Sequence, residues 1–279
     1  MNNFSDSTGG TPGKPSATKK RPTMHKWLTY GLLCIVTCGV GCKGNRTEHS
    51  ESNAEPDSTE HTDSVRIRSI HEECWNYSRG KYRELSYTET IEYESNGQEK
   101  CLTIKYGNGS SSVTTYVYED GRPVERNQKT SDGQTFTVTY GYDEDGRVQT
   151  LSDVSRTKPI ERYEYNGQGL MEWKYSYDGE SDNPLFANRY EYDEKGHMSL
   201  ELQYNDNGEE LQERHIFEYD DKGYLRKEEF LGRFDGDIHI TYEYTAFDDE
   251  GNWTECIKTE KHDDGNEYKS KTIRKYTYQ

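Results

Sequence analysis

The chain has 279 residues and a net charge of −17, with 29% hydrophobic against 31% charged residues. That balance alone suits a disordered chain, but 24 Tyr, 7 Phe and 4 Trp are far too many rings for one. The acidity excludes nucleic acid as a partner, because phosphates need a basic surface, and it disfavours anionic lipid headgroups.

The first 23 residues are polar and form either a leader or an over-extended start, since Met24 opens a self-contained export signal. Lys14, Lys19, Lys20, Arg21 and Lys26 precede an apolar run at 27–41, WLTYGLLCIVTCGVG. Fifteen residues are too few for a spanning helix, which takes about 20. A basic start, a short apolar stretch and small residues before a break define a signal peptide over 24–41. The break, Gly39-Val40-Gly41-Cys42, resembles a bacterial lipobox, with Gly39 where an aliphatic residue is usual. The resemblance implies cleavage before Cys42, acylation of that cysteine, and an expected cell-envelope anchor. Cys34 and Cys38 fit less well, since Leu33 and Thr37 occupy the position of the small residue.

Residues 43–64 hold one alanine and no larger aliphatic or aromatic side chain. Such a segment cannot offset the entropy of ordering and reads as a flexible acidic tether. Lys43 follows the cysteine, which by resemblance to known lipoproteins implies the outer membrane, with the periplasmic or surface face open.

From residue 65 onward one pattern recurs. It reads Tyr116-x-Tyr118, Tyr140-x-Tyr142, Tyr163-x-Tyr165, Tyr190-x-Tyr192, Phe217-x-Tyr219 and Tyr242-x-Tyr244, each followed by an acidic or Asn turn and a glycine. A decayed copy precedes them at Ile91-x-Tyr93, and Tyr276-x-Tyr278 closes the series. From Tyr93 to Tyr244 the second tyrosines stand 23 to 27 residues apart. In a strand, residues two apart share a face, so each pair puts two rings on one side and the residue between them, usually Glu, on the other. Asp-x-x-Gly then turns the chain, because Asp accepts backbone N–H groups and Gly tolerates positive φ. The return segments alternate as well, as in Met171, Trp173, Tyr175 and Tyr177. No sustained helical spacing appears. The expected fold is all-β: a continuous antiparallel meander of about 15 strands over 65–279, curled into an open shell or barrel-like sheet to cover its tyrosine face.

Tyr-x-Tyr-Asp-x-x-Gly resembles the YD repeat of RHS-type proteins over residues 91–253. The resemblance implies a coiled β-strip and an envelope location. It does not carry toxin activity over, since no counterpart of the self-cleavage region or toxin tail follows Tyr278 in this sequence.

The candidate chemistry is sparse. The acid pairs Asp220-Asp221, Asp248-Asp249-Glu250 and Asp263-Asp264 sit in the repeating turns, where Asp serves the backbone, and the EF-hand pattern fails before Gly146 and Gly208, whose first positions are Gly141 and Gln203. His71-Glu72-Glu73-Cys74 lacks the second histidine of a zinc helix. Neither a nucleophile-elbow serine nor a phosphate-binding glycine loop is present. Cys74 and Cys101 could pair in an exported protein, closing a loop worth about 3 kcal/mol in the chain-entropy model; free buried thiols are the alternative. Trp173, Tyr175 and Tyr177 form the candidate aromatic binding surface, since sugars stack on rings, although strand parity favours reading them as core. No cofactor is expected. The functional expectation is a non-enzymatic, membrane-anchored lipoprotein that binds a protein or glycan. The alternatives are an immunity or accessory factor of an RHS-type toxin system and, less favoured, a glycan- or peptide-active hydrolase.

Overall fold

The computed structural model describes residues 65–205, 210–232 and 236–279. The signal peptide, Cys42 and the tether lie outside the described residues. Every described element is a strand: β1 (Ile67–Ser78), β2 (Lys81–Tyr93), β3 (Glu99–Tyr106), β4 (Ser111–Glu119), β5 (Arg122–Thr130), β6 (Thr135–Tyr142), β7 (Val148–Asp153), β8 (Glu161–Tyr165), β9 (Met171–Ser176), β10 (Phe186–Tyr192), β11 (Met198–Tyr204), β12 (Leu211–Tyr219), β13 (Leu225–Leu231), β14 (Ile238–Phe247), β15 (Trp253–His262) and β16 (Glu267–Tyr278). Each pairs antiparallel with its neighbours in sequence, and β16 pairs with β1, so the meander closes into a 16-stranded barrel. Closure removes both sheet edges that an open shell would have exposed.

The repeat turns and both ends of the described chain gather at one mouth of the barrel, where Arg66 N–H donates to Gln279 O at 3.3 Å. Each turn is built as the sequence requires. Asp193 Oδ1 accepts from Lys195 N (2.9 Å) and His197 N (2.8 Å), and Asp220 and Asp248 accept two backbone N–H groups in the same way. The acid pairs containing Asp220 and Asp248 are therefore committed to shaping turns. Gly146 and Gly223 have φ of 77° and 87°. They also make room: a Cβ on Gly146 would lie 2.4 Å from Arg122 Nη2, and one on Gly223 would lie 3.1 Å from His197 Nε2.

Those two side chains belong to a second device that the pattern alone does not show. The residue after the turn glycine stacks on the second tyrosine of the next copy. Arg122 lies over Tyr142 (5.6 Å), Arg147 over Tyr165 (4.8 Å), His197 against Tyr219 (4.8 Å) and Tyr224 against Tyr244 (5.0 Å). The second tyrosines in turn donate back to the preceding copy: Tyr118 Oη to Glu99 O (2.9 Å), Tyr142 to Pro123 O (2.5 Å), Tyr165 to Val148 O (2.6 Å) and Tyr192 to Met171 O (2.7 Å). The six copies from Tyr118 to Tyr244 are thus each latched to the one before by a hydrogen bond, a stacked side chain or both.

A β-bulge follows each of these turns, and it decides which side chains face inward. Tyr192 stands opposite Met198, but Glu191 stands opposite Leu200, so Ser199 is skipped. The same step skips Lys100, Val124, Gln149, Glu172 and Arg226 in five other copies, and between β14 and β15 both Thr245 and Thr254 are skipped. A one-residue slip sends every later side chain to the other face. In β11, Met198 faces inward, whereas Leu200 and Leu202 face outward and Glu201 faces inward opposite Tyr190. The return strands therefore reverse the parity expected from their sequence.

The resulting interior is tyrosine and aliphatic on one set of strands and largely polar on the other. Ile70, Val138, Leu151 and Ile240 are 5% exposed or less. Among them sit hydrogen-bonded acids. Glu72 accepts from Arg274 Nε (2.7 Å) and Tyr87 Oη (2.9 Å), Glu228 accepts from Tyr242 Oη (2.8 Å), and Glu201 accepts from Asn188 Nδ2 (2.6 Å). Glu161 pairs with Tyr163 and with Lys174 at 3.2 Å. Sixteen strands at about 4.8 Å spacing give a wall roughly 77 Å around before tilt, too wide for inward side chains to meet and fill it. In keeping with that, no large side chain among the described residues is below 2% exposure. The lumen is wet.

Candidate binding surface

The outward wall is polar over most of its circumference. β6 presents Thr135, Thr137 and Thr139; β14 presents His239, Thr241, Glu243 and Thr245; β16 presents Lys269, Lys271 and Lys275. A lysine on the lipid face of a spanning barrel costs about 2–4 kcal/mol at the midplane. This wall is built for water rather than hydrocarbon.

Two sectors differ. On β1 and β2, Trp75 faces outward opposite Lys271, Tyr77 is 45% exposed with its ring 5.1 Å from Tyr82, and Lys271 lies over Tyr82 at 5.5 Å. The bulge creates the other. Past the skipped Glu172, Trp173 faces outward opposite Glu164, while Lys174 faces inward opposite Tyr163. Trp173 and Tyr175 stack on the outer face with ring centroids 5.8 Å apart and planes 11° apart. Tyr204 of β11 joins them, 5.7 Å from Trp173. Ala187 of β10 lies between Tyr175 and Tyr204 in register and is 0% exposed, a small residue sealed under rings on the outside of a barrel. Two arginines border the cluster. Arg162 lies over Tyr175 at 4.8 Å and Arg189 over Trp173 at 5.9 Å. Arg162 also meets Glu164 at 3.1 Å, whereas the carboxylates nearest Arg189, on Glu172 and Glu191, are 3.8 and 3.7 Å away.

Of the sequence-predicted aromatic row, Trp173 and Tyr175 therefore share this face. Tyr177 lies beyond the strand end, half-buried, its N–H donating to Ile160 O at 2.8 Å. Tyr204, Arg162 and Arg189 escaped sequence reasoning because their strands are brought beside β9 by topology. The one signal available was the return-strand parity, which reads correctly only once the bulge is counted.

The cysteines correct an expectation. Cys74, Cys101 and Cys256 are free thiols. Cys74 faces the lumen on β1, and Cys101 faces outward on β3 with β2 between them, so the Cys74–Cys101 pair does not form. Cys74 and Cys256 both stand opposite Thr272, one strand to either side of it. Burial pushes both thiols up, Cys256 to about 12, which suits inert packing rather than nucleophilic work.

Two shallow grooves lie toward the mouth away from the repeat turns. One, ≈ 470 Å³, is lined by Val113, Thr115, Asn127 and Phe136; the other, ≈ 390 Å³, by Leu211, Arg214, Leu231 and Gly232. The second adjoins the aromatic sector, since Leu211 stands opposite Tyr204. Among the described residues, no three His, Cys, Asp or Glu side chains converge in a metal-binding group.

No protein-family model matches the chain, and no curated protein matches it. Among solved structures it is similar to a porin-like protein from Bacteroides uniformis, at 14% identity over 76% of this chain and 98% of that one, with a TM-score of 0.52. It is more distantly similar to the crystal structures of TcdB2-TccC3-Cdc42 and TcdB2-TccC3-TEV, at 11% and 13% identity and a TM-score of 0.32, covering 74% of this chain and 13% of each of those. The first likeness is one of fold: a β-barrel of the same extent.

Proposed function

We propose that this chain is an envelope lipoprotein of the YD-repeat type, anchored through Cys42, whose barrel binds a ligand rather than transforming one. The observation that carries the binding reading is the outward Trp173–Tyr175–Tyr204 cluster, the larger stacked aromatic group on a wall that is mostly threonine and charge. The three rings are half-buried, and a contiguous, partly exposed aromatic patch on an outer wall is a favoured contact surface. The buried acids support a non-enzymatic reading, because each is paired with a tyrosine, an asparagine or a cation of the wall. The polar outer wall is compatible with a tethered, water-surrounded barrel and not with a pore set into lipid.

Two experiments test this. Cys42→Ser is expected to abolish acyl labelling and release the protein from membranes; persistent labelling would refute the anchor. The full-length protein in detergent is then screened against glycan panels and envelope extracts. Tyr175→Ala/Tyr204→Ala is expected to abolish capture while circular dichroism keeps its β signature. Undiminished capture would move the binding surface elsewhere.

A further inference from the structure

The smaller outward aromatic group, on β1 and β2, ends in a free hairpin. The two strands turn at Arg79-Gly80, whose φ values of 51° and 78° are those a two-residue hairpin loop requires. β16 accompanies β1 as far as Asn76, opposite Ser270, and β3 accompanies β2 only from Tyr87 onward, opposite Tyr106. Past those limits the hairpin pairs with itself alone, Tyr77 opposite Tyr82 and Ser78 opposite Lys81. Its tip thus stands clear of both neighbouring strands over about 10 Å. Every residue from 76 to 84 except Tyr82 is exposed.

This finger joins rings to cations. Its outward face carries Trp75 opposite Leu85 and Tyr77 opposite Tyr82. Its tip carries Arg79, Lys81 and Arg83 against one carboxylate, Glu84. None of the three cations is ion-paired to another described residue. The other mouth is the reverse: its repeat turns hold Asp143-Glu144-Asp145, Asp193-Glu194, Asp220-Asp221 and Asp248-Asp249-Glu250. The net charge of −17 is therefore unevenly placed, with carboxylates around one mouth and a basic, aromatic finger at the other.

We propose that the β1–β2 finger is a membrane contact, seated in the headgroup layer of an anionic phospholipid bilayer, with Arg79, Lys81 and Arg83 on lipid phosphates and the rings of Tyr77 and Tyr82 at the interface. The inference rests on the envelope-anchor reading, which puts a bilayer within reach. Read as a flexible coil, the tether over 43–64 spans about 26 Å. The twelve residues of β1 give a wall about 30 Å high at a tilt of about 40°. A barrel entered at its repeat-turn mouth can therefore present the other mouth to the bilayer that holds its anchor. Each Lys or Arg at an anionic surface strengthens attachment about fivefold, so three give about a hundredfold. Tyrosine and tryptophan settle at the interface because the ring is apolar and its polar tip stays wet. The acidic mouth lies several Debye lengths away at physiological salt, so it does not cancel the attraction at the finger. The same field turns that mouth from the bilayer. Tethering raises the local concentration of lipid, so a contact too weak to recruit a free protein still orients an anchored one.

The test reconstitutes the full-length protein from detergent into vesicles whose lipids are brominated near the headgroup. One set is phosphatidylcholine alone, the other an equal mixture of phosphatidylcholine and phosphatidylglycerol. Tryptophan quenching is read for the wild type and for Trp75→Phe, and the difference isolates the finger from Trp173 and Trp253. That difference is expected to be at least fivefold larger in the anionic vesicles. Arg79→Gln/Lys81→Gln/Arg83→Gln and Tyr77→Ala/Tyr82→Ala are each expected to bring quenching down to the Trp75→Phe level while circular dichroism is unchanged. Lys195→Gln/Lys222→Gln, in the repeat turns, is expected to leave it intact. The absence of Trp75-dependent quenching, equal quenching in neutral vesicles, or indifference to the triple change each overturns the proposal. An equal loss from Lys195→Gln/Lys222→Gln does so too, by showing that a cation anywhere suffices. Where Cys42 is acylated but Trp75 stays unquenched, the anchor stands and the finger falls. Where acylation is absent but the quenching persists, the anchor falls and the finger stands.

Discussion

Removing Arg274 is expected to open the barrel at its seam. Arg274 on β16 is the partner of Glu72 on β1, 202 residues away in sequence, so this pair spans the one junction that neighbouring hairpins do not make for themselves. Nε donates to Glu72 Oε2 at 2.7 Å, Tyr87 donates to Oε1 at 2.9 Å, and the guanidinium lies 3.9 Å from the centre of the Trp253 ring. The side chains of Arg274 and Glu72 are only 17% and 11% exposed. The surface value of about 0–1 kcal/mol for an ion pair therefore does not apply. Arg274→Met keeps an unbranched side chain of similar reach, takes the guanidinium off Trp253 and leaves Glu72 without its cation. Stranding one member of a buried pair costs about 3–5 kcal/mol. For a domain of this size that is a drop in Tm of roughly 6–20 °C. Glu72→Met/Arg274→Met removes both charges and is expected to recover most of the loss, since an apolar replacement of a buried pair is often neutral. Urea denaturation of the wild type, both single variants and the double variant, followed by circular dichroism, closes the cycle. A loss below about 1 kcal/mol for Arg274→Met would show the pair to be solvated. A double variant as weak as Arg274→Met would locate the loss in the stacking on Trp253.

Tyr192→Phe removes the donor to Met171 O and is expected to cost about 1 kcal/mol in urea denaturation; Tyr142→Phe and Tyr165→Phe are expected to match it, and the three to add. Gly146→Ala is expected to cost more than Gly97→Ala, because both have positive φ but only Gly146 would drive a Cβ into Arg122; equal losses would refute the crowding argument. Burial raises the Glu228 carboxyl above its ordinary range despite the Tyr242 bond, so the native state holds that proton more tightly than the unfolded chain. The penalty is full above the raised pKa and absent below the unfolded one, so Glu228→Gln is expected to stabilise the barrel at neutral pH, with the advantage fading as pH falls; a gain that grows on acidification would refute it. Glu201 runs the other way: burial opposes ionisation, but His215 and Asn188 hold the carboxyl below its ordinary range, so its stabilising contribution is expected to be lost as pH falls through that lowered value.

Much of this architecture is legible in residue spacing. The Tyr-x-Tyr pairs, their acidic turns and their glycines place seven hairpins and make the fold all-β, because period-two aromatics and Asp-x-x-Gly admit little else. Closure is not legible: Arg274 and Glu72 meet across 202 residues, and no local pattern joins them. The outward aromatic sector is half legible. Trp173 and Tyr175 stand out as a row, but their face depends on a single skipped residue, Glu172, whose neighbours carry no bulge-forming glycine. The arginines that border the sector come from β8 and β10, and only the meander's register brings them beside Trp173.

The bulges also account for how so polar a chain folds at all. A one-sided sheet with both strands of each hairpin apolar inward would need more Leu, Ile and Val than 29% hydrophobic residues allow. By reversing the return strands, the bulge after each repeat turn puts Glu201, Lys174 and Glu228 inside, where tyrosines and neighbouring side chains satisfy them, and puts Trp173, Leu200 and Leu202 outside. The barrel then needs no dry core. Its cohesion comes from a closed ladder without edges, from the tyrosine latches at one mouth, and from aromatic area half-buried on both faces of one wall. Such a wall can carry an aromatic sector on its water side without forfeiting stability inside, because the rings displaced outward were never needed to fill the lumen. The device that lets a sparse sequence close into a barrel is thus the same one that sets Trp173 on its surface.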